Sequence, residues 1–102
     1  MIKFSVFYPN EEGSTFDMDY YVTKHIPLCR QLTGDAMRRA EIDKGLGGAA
    51  PGSKPPFVAA VHMYFDSLEA FQASFVPHRM MLADDVPNYT NIRPVLQMAE
   101  VL

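Results

Sequence analysis

Asp17, Tyr21 and His25 follow one another at intervals of four residues, a spacing that places their side chains on one stripe of a helix. A tyrosine one turn before a histidine can form a hydrogen bond with the imidazole and so set its tautomer. Because imidazole titrates close to neutral pH, a histidine oriented in this way suits general acid/base catalysis. The same spacing also fits a structural histidine that packs beneath a tyrosine. His25 and Tyr21 are therefore candidate catalytic residues.

His78 is a second histidine that could take part in chemistry. It follows Pro77 in a stretch predicted to be helical, and a helix packed on a sheet could turn it toward the same cavity as His25. The same position near a helix N-terminus would equally leave its side chain in solvent. Cys29, one turn beyond His25, is more typical of a small core residue than of a nucleophile. We include His78 as the third candidate catalytic residue.

Metal and nucleotide motifs do not occur in the sequence. The three histidines lie in separate predicted elements, and no HxH, HxxxH or CxxC pattern is present, so we predict no structural metal. The glycines between residues 45 and 52 match neither the GxGxxG pattern nor a P-loop. The residues themselves therefore predict no cofactor.

Charge and hydropathy limit the partners. Nine basic and twelve acidic residues give a formal net charge of −3 without a block of like charge, which argues against nucleic acid. No window approaches the roughly 20 apolar residues of a membrane helix, and the N-terminus lacks the apolar core of a signal peptide. A single cysteine can form no internal disulfide. We therefore expect a cytoplasmic protein that binds neither nucleic acid nor membrane.

The first elements of the chain must position His25. Alternating apolar residues favour a strand over residues 2–8. Capping residues then favour a helix over residues 17–33, with Gly34 as its C-terminal stop. Pro27 lies inside this helix, where it removes a backbone hydrogen bond. We therefore expect a kink beside His25.

The rest of the chain completes a recognisable order of elements. The run FVAAVHMYF is apolar on both faces and predicts a central strand. The order β-α-β-β-α-β defines a ferredoxin-like α+β fold, an antiparallel sheet with both helices on one face. We expect residues 1–102 to form one such domain. Its remaining predicted parts are a strand at 37–46, a loop at 45–56, the central strand at 57–65, a helix capped by Asp66 and Ser67 with a second segment from Pro77 to Val86, and a strand at 91–101.

Two helices can cover only one face of this sheet, and the parity of each strand predicts which residues lie on the other. Apolar side chains there are costly to leave in water, and charged ones are costly to bury unpaired. Sheet-to-sheet homodimerisation satisfies both demands, and we expect His62 to pair there with Glu41 or Asp43. The helix-covered face is predicted to hold Ile2, Phe4, Val6, Ala40, Ile42, Phe57, Ala59, Val61, Met63, Ile92, Leu96 and Met98, and the open face Lys3, Ser5, Phe7, Arg39, Glu41, Asp43, Val58, Ala60, His62, Tyr64, Arg93, Val95, Gln97, Ala99 and Val101.

Several segments together resemble the EthD family, whose name refers to ethyl tert-butyl ether degradation. The likeness extends over nearly the whole chain and lies in the order of the segments. These are Asp17-x-x-Tyr20-Tyr21-x-x-x-His25-x-Pro27-Leu28, FVAAVHMYFDSLEAFQASF at residues 57–75, His78, and Pro87-Asn88-Tyr89-Thr90.

The resemblance implies a dimeric α+β barrel, the superfamily that includes muconolactone isomerases, antibiotic-biosynthesis monooxygenases and haem-degrading monooxygenases. Such relatives generally hold a hydrophobic ligand between the helices and the sheet. His25 and Tyr21 match the family's helix-one motif, and His78 lies in the region where haem-degrading relatives keep their axial histidine. The chain has no tryptophan, which those haem enzymes use.

Three functions fit the sequence. The first is a small cofactor-independent enzyme, an isomerase, dehydratase or oxygenase accessory acting on an apolar oxygenated molecule. His25 would move the proton and Tyr21 would orient it, while the 45–56 loop would gate the pocket. The second is a haem-binding or haem-handling protein with His78 as axial ligand. The third is a non-catalytic dimeric module that binds a small apolar ligand.

Overall fold

The computed structural model describes all 102 residues and confirms the predicted ferredoxin-like α+β fold. Its four strands form one antiparallel sheet in the order β2-β3-β1-β4. The most apolar strand, β3, lies inside the sheet, because burial on both faces favours a continuous apolar run. The strands are β1 at Ile2–Pro9, β2 at Arg39–Lys44, β3 at Phe57–Phe65 and β4 at Val95–Glu100.

Helix α1 is the long helical segment that carries His25. It contains α-helical Met18–Tyr20, a π-helical turn at Tyr21–His25 and α-helical Ile26–Thr33. The Asp17 side chain caps its first turn by accepting a hydrogen bond from the Tyr20 amide at 3.0 Å.

The kink predicted beside His25 takes the form of this π turn. The amide of Ile26 donates to the carbonyl of Tyr21, which widens the helix just before Pro27, a residue with no amide hydrogen to donate. The helix then ends at Gly34, whose φ of 63° is open to glycine at little cost.

Two short helices follow β3. Helix α2 spans Leu68–Ser74, and the Ser67 hydroxyl caps it by accepting from the Ala70 amide at 3.1 Å. Helix α3 spans Arg79–Asp85, with 3₁₀ turns at Val76–His78 and Val86–Asn88 on either side of it. Each helix buries a single large apolar side chain against the sheet, Phe71 in α2 and Leu82 in α3.

Boundaries differ from the predictions at two strands. Strand β4 begins at Val95 rather than at residue 91. Pro94 lacks an amide hydrogen and so cannot donate a hydrogen bond to the neighbouring strand. Strand β2 is shorter at both ends than the predicted 37–46. The 45–56 segment contains neither helix nor strand, and its glycines and prolines explain why.

Where the strands pair, their register agrees with the two predicted faces except at the start of β3, where Phe57 lies on the open face and Val58 packs against the core. Tyr64 lies opposite both Lys3 and Arg39, all on the open face. Phe57 was predicted to lie in the core but is 38% exposed, and its ring packs on Phe7 at 5.2 Å. The cause is an irregularity in the pairing of β1 with β3 after Tyr8, since a shift of one residue moves a side chain to the other face.

Several polar groups of the open face are paired within the chain, whereas Lys3 has no ion-pair partner there. His62 Nδ1 forms a hydrogen bond with the Ser5 hydroxyl at 2.7 Å, and His62 Nε2 forms one with Asp43 at 3.0 Å. The predicted pairing of His62 with a carboxylate is therefore present, with Asp43 as the partner rather than Glu41. Glu41 instead accepts a hydrogen bond from the Tyr64 hydroxyl at 2.7 Å.

Candidate functional site

A cavity of about 300 Å³ lies between the helices and the sheet. Strands β1 and β3 form its floor, and helices α1 and α3 form its walls. Of its 18 lining residues, 15 are hydrophobic, and the exceptions are His25, Arg79 and Pro94. A mostly apolar concave site with a few polar groups is typical of small-molecule binding sites. The lining residues are Phe4, Val6, Tyr8, Tyr21, His25, Ile26, Cys29, Val61, Met63, Phe75, Arg79, Met80, Leu82, Ala83, Val86, Tyr89, Pro94 and Leu96.

His25 lies in the wall of this cavity and is held by a carboxylate. Its ring Nδ1 is 2.9 Å from Oδ2 of Asp85, at the end of α3. The His25 side chain is 8% exposed and that of Asp85 is 15% exposed. Because Nδ1 faces a carboxylate, the neutral ring keeps its proton there, and Nε2 is left as the acceptor for a ligand. Asp85 therefore fixes the orientation of the His25 ring.

Asp85 is itself fixed by further donors. Its Oδ1 accepts hydrogen bonds from the Tyr20 hydroxyl at 2.7 Å and from the side-chain Nδ2 of Asn88 at 2.9 Å. Burial raises the pKa of the Asp85 carboxyl, but the hydrogen bonds from His25, Asn88 and Tyr20 outweigh it and hold the pKa below its usual value. Asp85 is thus a carboxylate at neutral pH, as a partner for an imidazolium should be.

Tyr21 is completely buried beside His25, but not in the predicted way. Its ring stacks on the imidazole with centroids 5.5 Å apart and planes within 15°, and its hydroxyl has no hydrogen-bond partner. The predicted hydrogen bond between Tyr21 and His25 is therefore wrong, because the π turn aligns the two rings face to face. Burial raises the pKa of Tyr21 far above its usual value, so the hydroxyl stays protonated.

Two more tyrosines extend this aromatic group. The hydroxyls of Tyr8 and Tyr89 lie 2.8 Å apart, and both residues are buried. The Tyr89 ring also contacts the imidazole of His25, at a centroid distance of 4.6 Å. Burial is the main cause of a raised pKa at both Tyr8 and Tyr89. All these hydroxyls are neutral donors at physiological pH.

His78 does not belong to this group. It lies in the 3₁₀ turn between α2 and α3, is half-buried, and does not line the cavity. The structure therefore does not bring His78 and His25 together, and a haem ligated by His78 does not fit this cavity. No group of three or more His, Cys, Asp or Glu side chains could hold a metal ion. No helix is long and apolar enough to cross a membrane.

Cys29 lines the cavity without being activated. It is buried, and burial raises the pKa of its thiol to about 12. A thiol is a much weaker nucleophile than a thiolate, so this residue behaves as the small core side chain that the sequence favoured.

Asp85 and Tyr89 are site residues that the sequence did not reveal. Asp85 is 60 residues from His25 in the chain, and one acidic residue at the end of a helix is an ordinary feature. The usable signal was the cluster Asp84, Asp85 and Asn88, which offered polar side chains on the helix that had to pack beside α1.

Comparisons with known proteins identify relatives of this fold. A crystal structure of an EthD-like protein from Ralstonia eutropha matches with a TM-score of 0.94 and 42% identity, over 99% of this chain and 91% of that chain. An ethyl tert-butyl ether degradation family protein from Bacillus halodurans matches with a TM-score of 0.74 and 20% identity, over 100% and 99%. A comparison with curated proteins finds no match.

A more distant neighbour is a dimeric protein of unknown function with a ferredoxin-like fold from Bacteroides fragilis. It matches with a TM-score of 0.53 and 11% identity, over 98% of this chain and 95% of that chain. At that identity the likeness shows the fold alone. The family model of the EthD domain matches residues 12–92. Together with the 42% identity to the Ralstonia eutropha protein over 99% of the chain, this match shows that the protein belongs to the EthD family.

Proposed function

We propose that this EthD protein is a small cofactor-independent enzyme that moves a proton on an apolar, oxygenated small molecule. The observation that supports the proposal is the contact of His25 Nδ1 with Asp85 at 2.9 Å in the wall of an apolar cavity. This contact leaves Nε2 as the group that meets the ligand. Isomerases and dehydratases begin in this way, by removing a proton from a carbon beside a carbonyl.

In the proposed step, His25 Nε2 takes a proton from the substrate carbon. The electron pair of the broken C–H bond stays on the substrate as an enolate, and the ring becomes an imidazolium. Asp85 holds Nδ1–H and stabilises the new positive charge, as a positioning residue. The imidazolium then returns the proton to a different atom of the substrate, which completes an isomerisation without any other reactant.

The apolar wall and the tyrosines complete this arrangement. Apolar side chains exclude water, which strengthens the interaction of His25 with Asp85. The unpartnered hydroxyl of Tyr21 is a neutral donor beside the imidazole, where a small shift would let it reach a developing oxyanion. We therefore retain Tyr21 in the proposal. His78 is left out of it because it does not line the cavity.

We also propose that the protein is a homodimer through the open face of the sheet. His62, Asp43, Glu41 and Tyr64 on this face are already paired within the chain, so burial would not leave these groups without partners. Val95 and Val101 are 52% and 42% exposed there, and covering them is favourable. The Bacteroides fragilis neighbour is described as dimeric. We keep the cytoplasm as the proposed location, because the one cysteine is a free thiol.

The test is the exchange of carbon-bound hydrogen for deuterium, followed by NMR in D₂O. Tetralone serves as the probe, because it is an apolar ketone with exchangeable protons beside its carbonyl. Wild-type protein should accelerate exchange, and His25→Gln should lower the rate about a hundredfold or more. Asp85→Asn should also lower the rate, because the imidazolium that forms loses its carboxylate partner.

His78→Gln is the matched control, since it removes a histidine that lies outside the cavity. Its exchange rate should equal that of the wild type. If wild-type and His25→Gln proteins exchange tetralone equally, the enzymatic proposal is wrong. Binding of tetralone that persists in both proteins would then favour the non-catalytic binding module.

A further inference from the structure

Arg79 is the one permanently charged residue that lines the cavity. It is the first residue of α3, is exposed, and lines the cavity. The neighbouring lining residues Met80 and Leu96 are 70% and 59% exposed. These three residues mark the mouth, between α3 and the edge strand β4. Arg79 therefore lies where a ligand in the cavity would reach solvent.

No carboxylate of the chain neutralises this guanidinium. Ion pairs join Arg38 with Asp66 and Arg39 with Glu41, and the carboxylates of Asp85 and Asp43 contact His25 and His62. Arg79 has no such partner, although the chain carries a net charge of −3. No Asp or Glu lines the cavity. The cavity therefore has one permanent positive charge at its mouth and no negative charge in its lining.

The interior of the cavity suits an uncharged, apolar part of a ligand. Beyond the mouth the lining is mostly apolar, and its polar groups are His25 and the hydroxyls of Tyr8, Tyr21 and Tyr89. An apolar body is required there, since an unpaired charge would be costly to bury. The cavity volume of about 300 Å³ is about twice that of the engineered cavity of about 150 Å³ that binds benzene. This space suits a body of about ten to twelve non-hydrogen atoms.

We infer that the substrate is an amphipathic carboxylic acid, with an apolar aryl or alkyl body in the cavity and its carboxylate at the guanidinium of Arg79. A guanidinium matches a carboxylate with two parallel hydrogen bonds, which orients the ligand as well as holding it. The carboxylate would stay at the wet mouth while the apolar body reaches His25. This inference rests on the proposed function for the reaction, but not for the binding preference.

The test compares phenylpropanoate with phenylpropanamide, which have the same size and differ in charge. Calorimetric titration of wild-type protein should show tighter binding of the carboxylate. Because Arg79 is exposed, solvent screens the pair, and we expect a preference of about threefold to fivefold at low salt. The preference should shrink as the salt concentration rises, whereas binding of the amide should not change.

Variants assign the preference to one side chain. Arg79→Gln should abolish it by weakening only the carboxylate, and Arg79→Lys should keep part of it. Arg30→Gln is the matched control, because Arg30 is an exposed arginine on α1 that does not line the cavity. A preference that survives in Arg79→Gln, equal affinities in the wild type, or failure of both probes to bind would each overturn the inference.

The same titration separates this inference from the proposed reaction. His25→Gln should leave the carboxylate preference intact even though it stops proton transfer. If the preference is found and hydrogen exchange is absent, the acid-binding site stands and the enzymatic proposal fails. If exchange occurs without any preference for the acid, the enzyme stands and Arg79 has no role in recognition.

Discussion

Replacing Tyr21 by phenylalanine removes one hydroxyl from a side chain that is completely buried. That hydroxyl lies near the Tyr8 hydroxyl but makes no hydrogen bond of ordinary length within the protein. A buried polar group without a partner destabilises a fold by about 1–3 kcal/mol relative to a satisfied one. The small space left by the missing oxygen offsets part of this gain. We therefore expect Tyr21→Phe to stabilise the protein by about 1 kcal/mol, equivalent to a rise in Tm of about 4 to 5 °C for a chain of this size.

Tyr8→Phe is the matched control, because it makes the same chemical change to a hydroxyl that is paired. The Tyr8 hydroxyl lies 2.8 Å from that of Tyr89, and its removal leaves the Tyr89 hydroxyl buried and alone. This change should destabilise the protein by about 1–2 kcal/mol. The same substitution at two neighbouring tyrosines is thus expected to change the free energy of unfolding in opposite directions.

Urea unfolding measures both effects. The midpoint should rise for Tyr21→Phe and fall for Tyr8→Phe, with unchanged slopes. All proteins should be compared at one protomer concentration, because a dimer's stability depends on it. A loss of stability in Tyr21→Phe as large as that in Tyr8→Phe would refute the reasoning, since the Tyr21 hydroxyl would then have a partner. If Tyr21 also assists the proposed reaction, Tyr21→Phe should slow tetralone exchange while it stabilises the fold.

Three other substitutions test separate parts of the structure. Folding lowers the pKa of Asp85, so this carboxylate stabilises the fold above its pKa in the unfolded chain, about 4, and the stabilisation is lost as pH falls through the lower pKa of the folded protein. Asp85→Asn should remove this part of the acid sensitivity, measured by urea unfolding from pH 6 to pH 2. Ser67→Ala should lower the free energy of unfolding by about 1 kcal/mol, because α2 loses its cap. Val95→Glu should yield monomers in sedimentation equilibrium, and Val22→Glu on the outer side of α1 should not; dimers in both variants would contradict the proposed interface.

The sequence alone determined much of the fold, because periodicity and caps are local properties. Strand β3 begins and ends where its apolar run predicted, and Gly34 ends α1. Strand parity predicted the open face, where Asp43 pairs with His62, because alternate residues of a strand share a face whatever lies elsewhere. The irregularity after Tyr8 moved Phe57 to the open face. The sequence could not predict this change, because no local pattern marks a break in strand pairing.

The site depended on tertiary structure much more strongly. The sequence indicated that His25 and Tyr21 lie on one helix and that Pro27 disturbs it. Only the fold showed that the disturbance is a π turn, that the two rings stack, and that the partner of His25 is Asp85. Residues 60 positions apart in the chain meet because two helices pack on the same face of one sheet, and that packing is a property of the whole chain rather than of any segment.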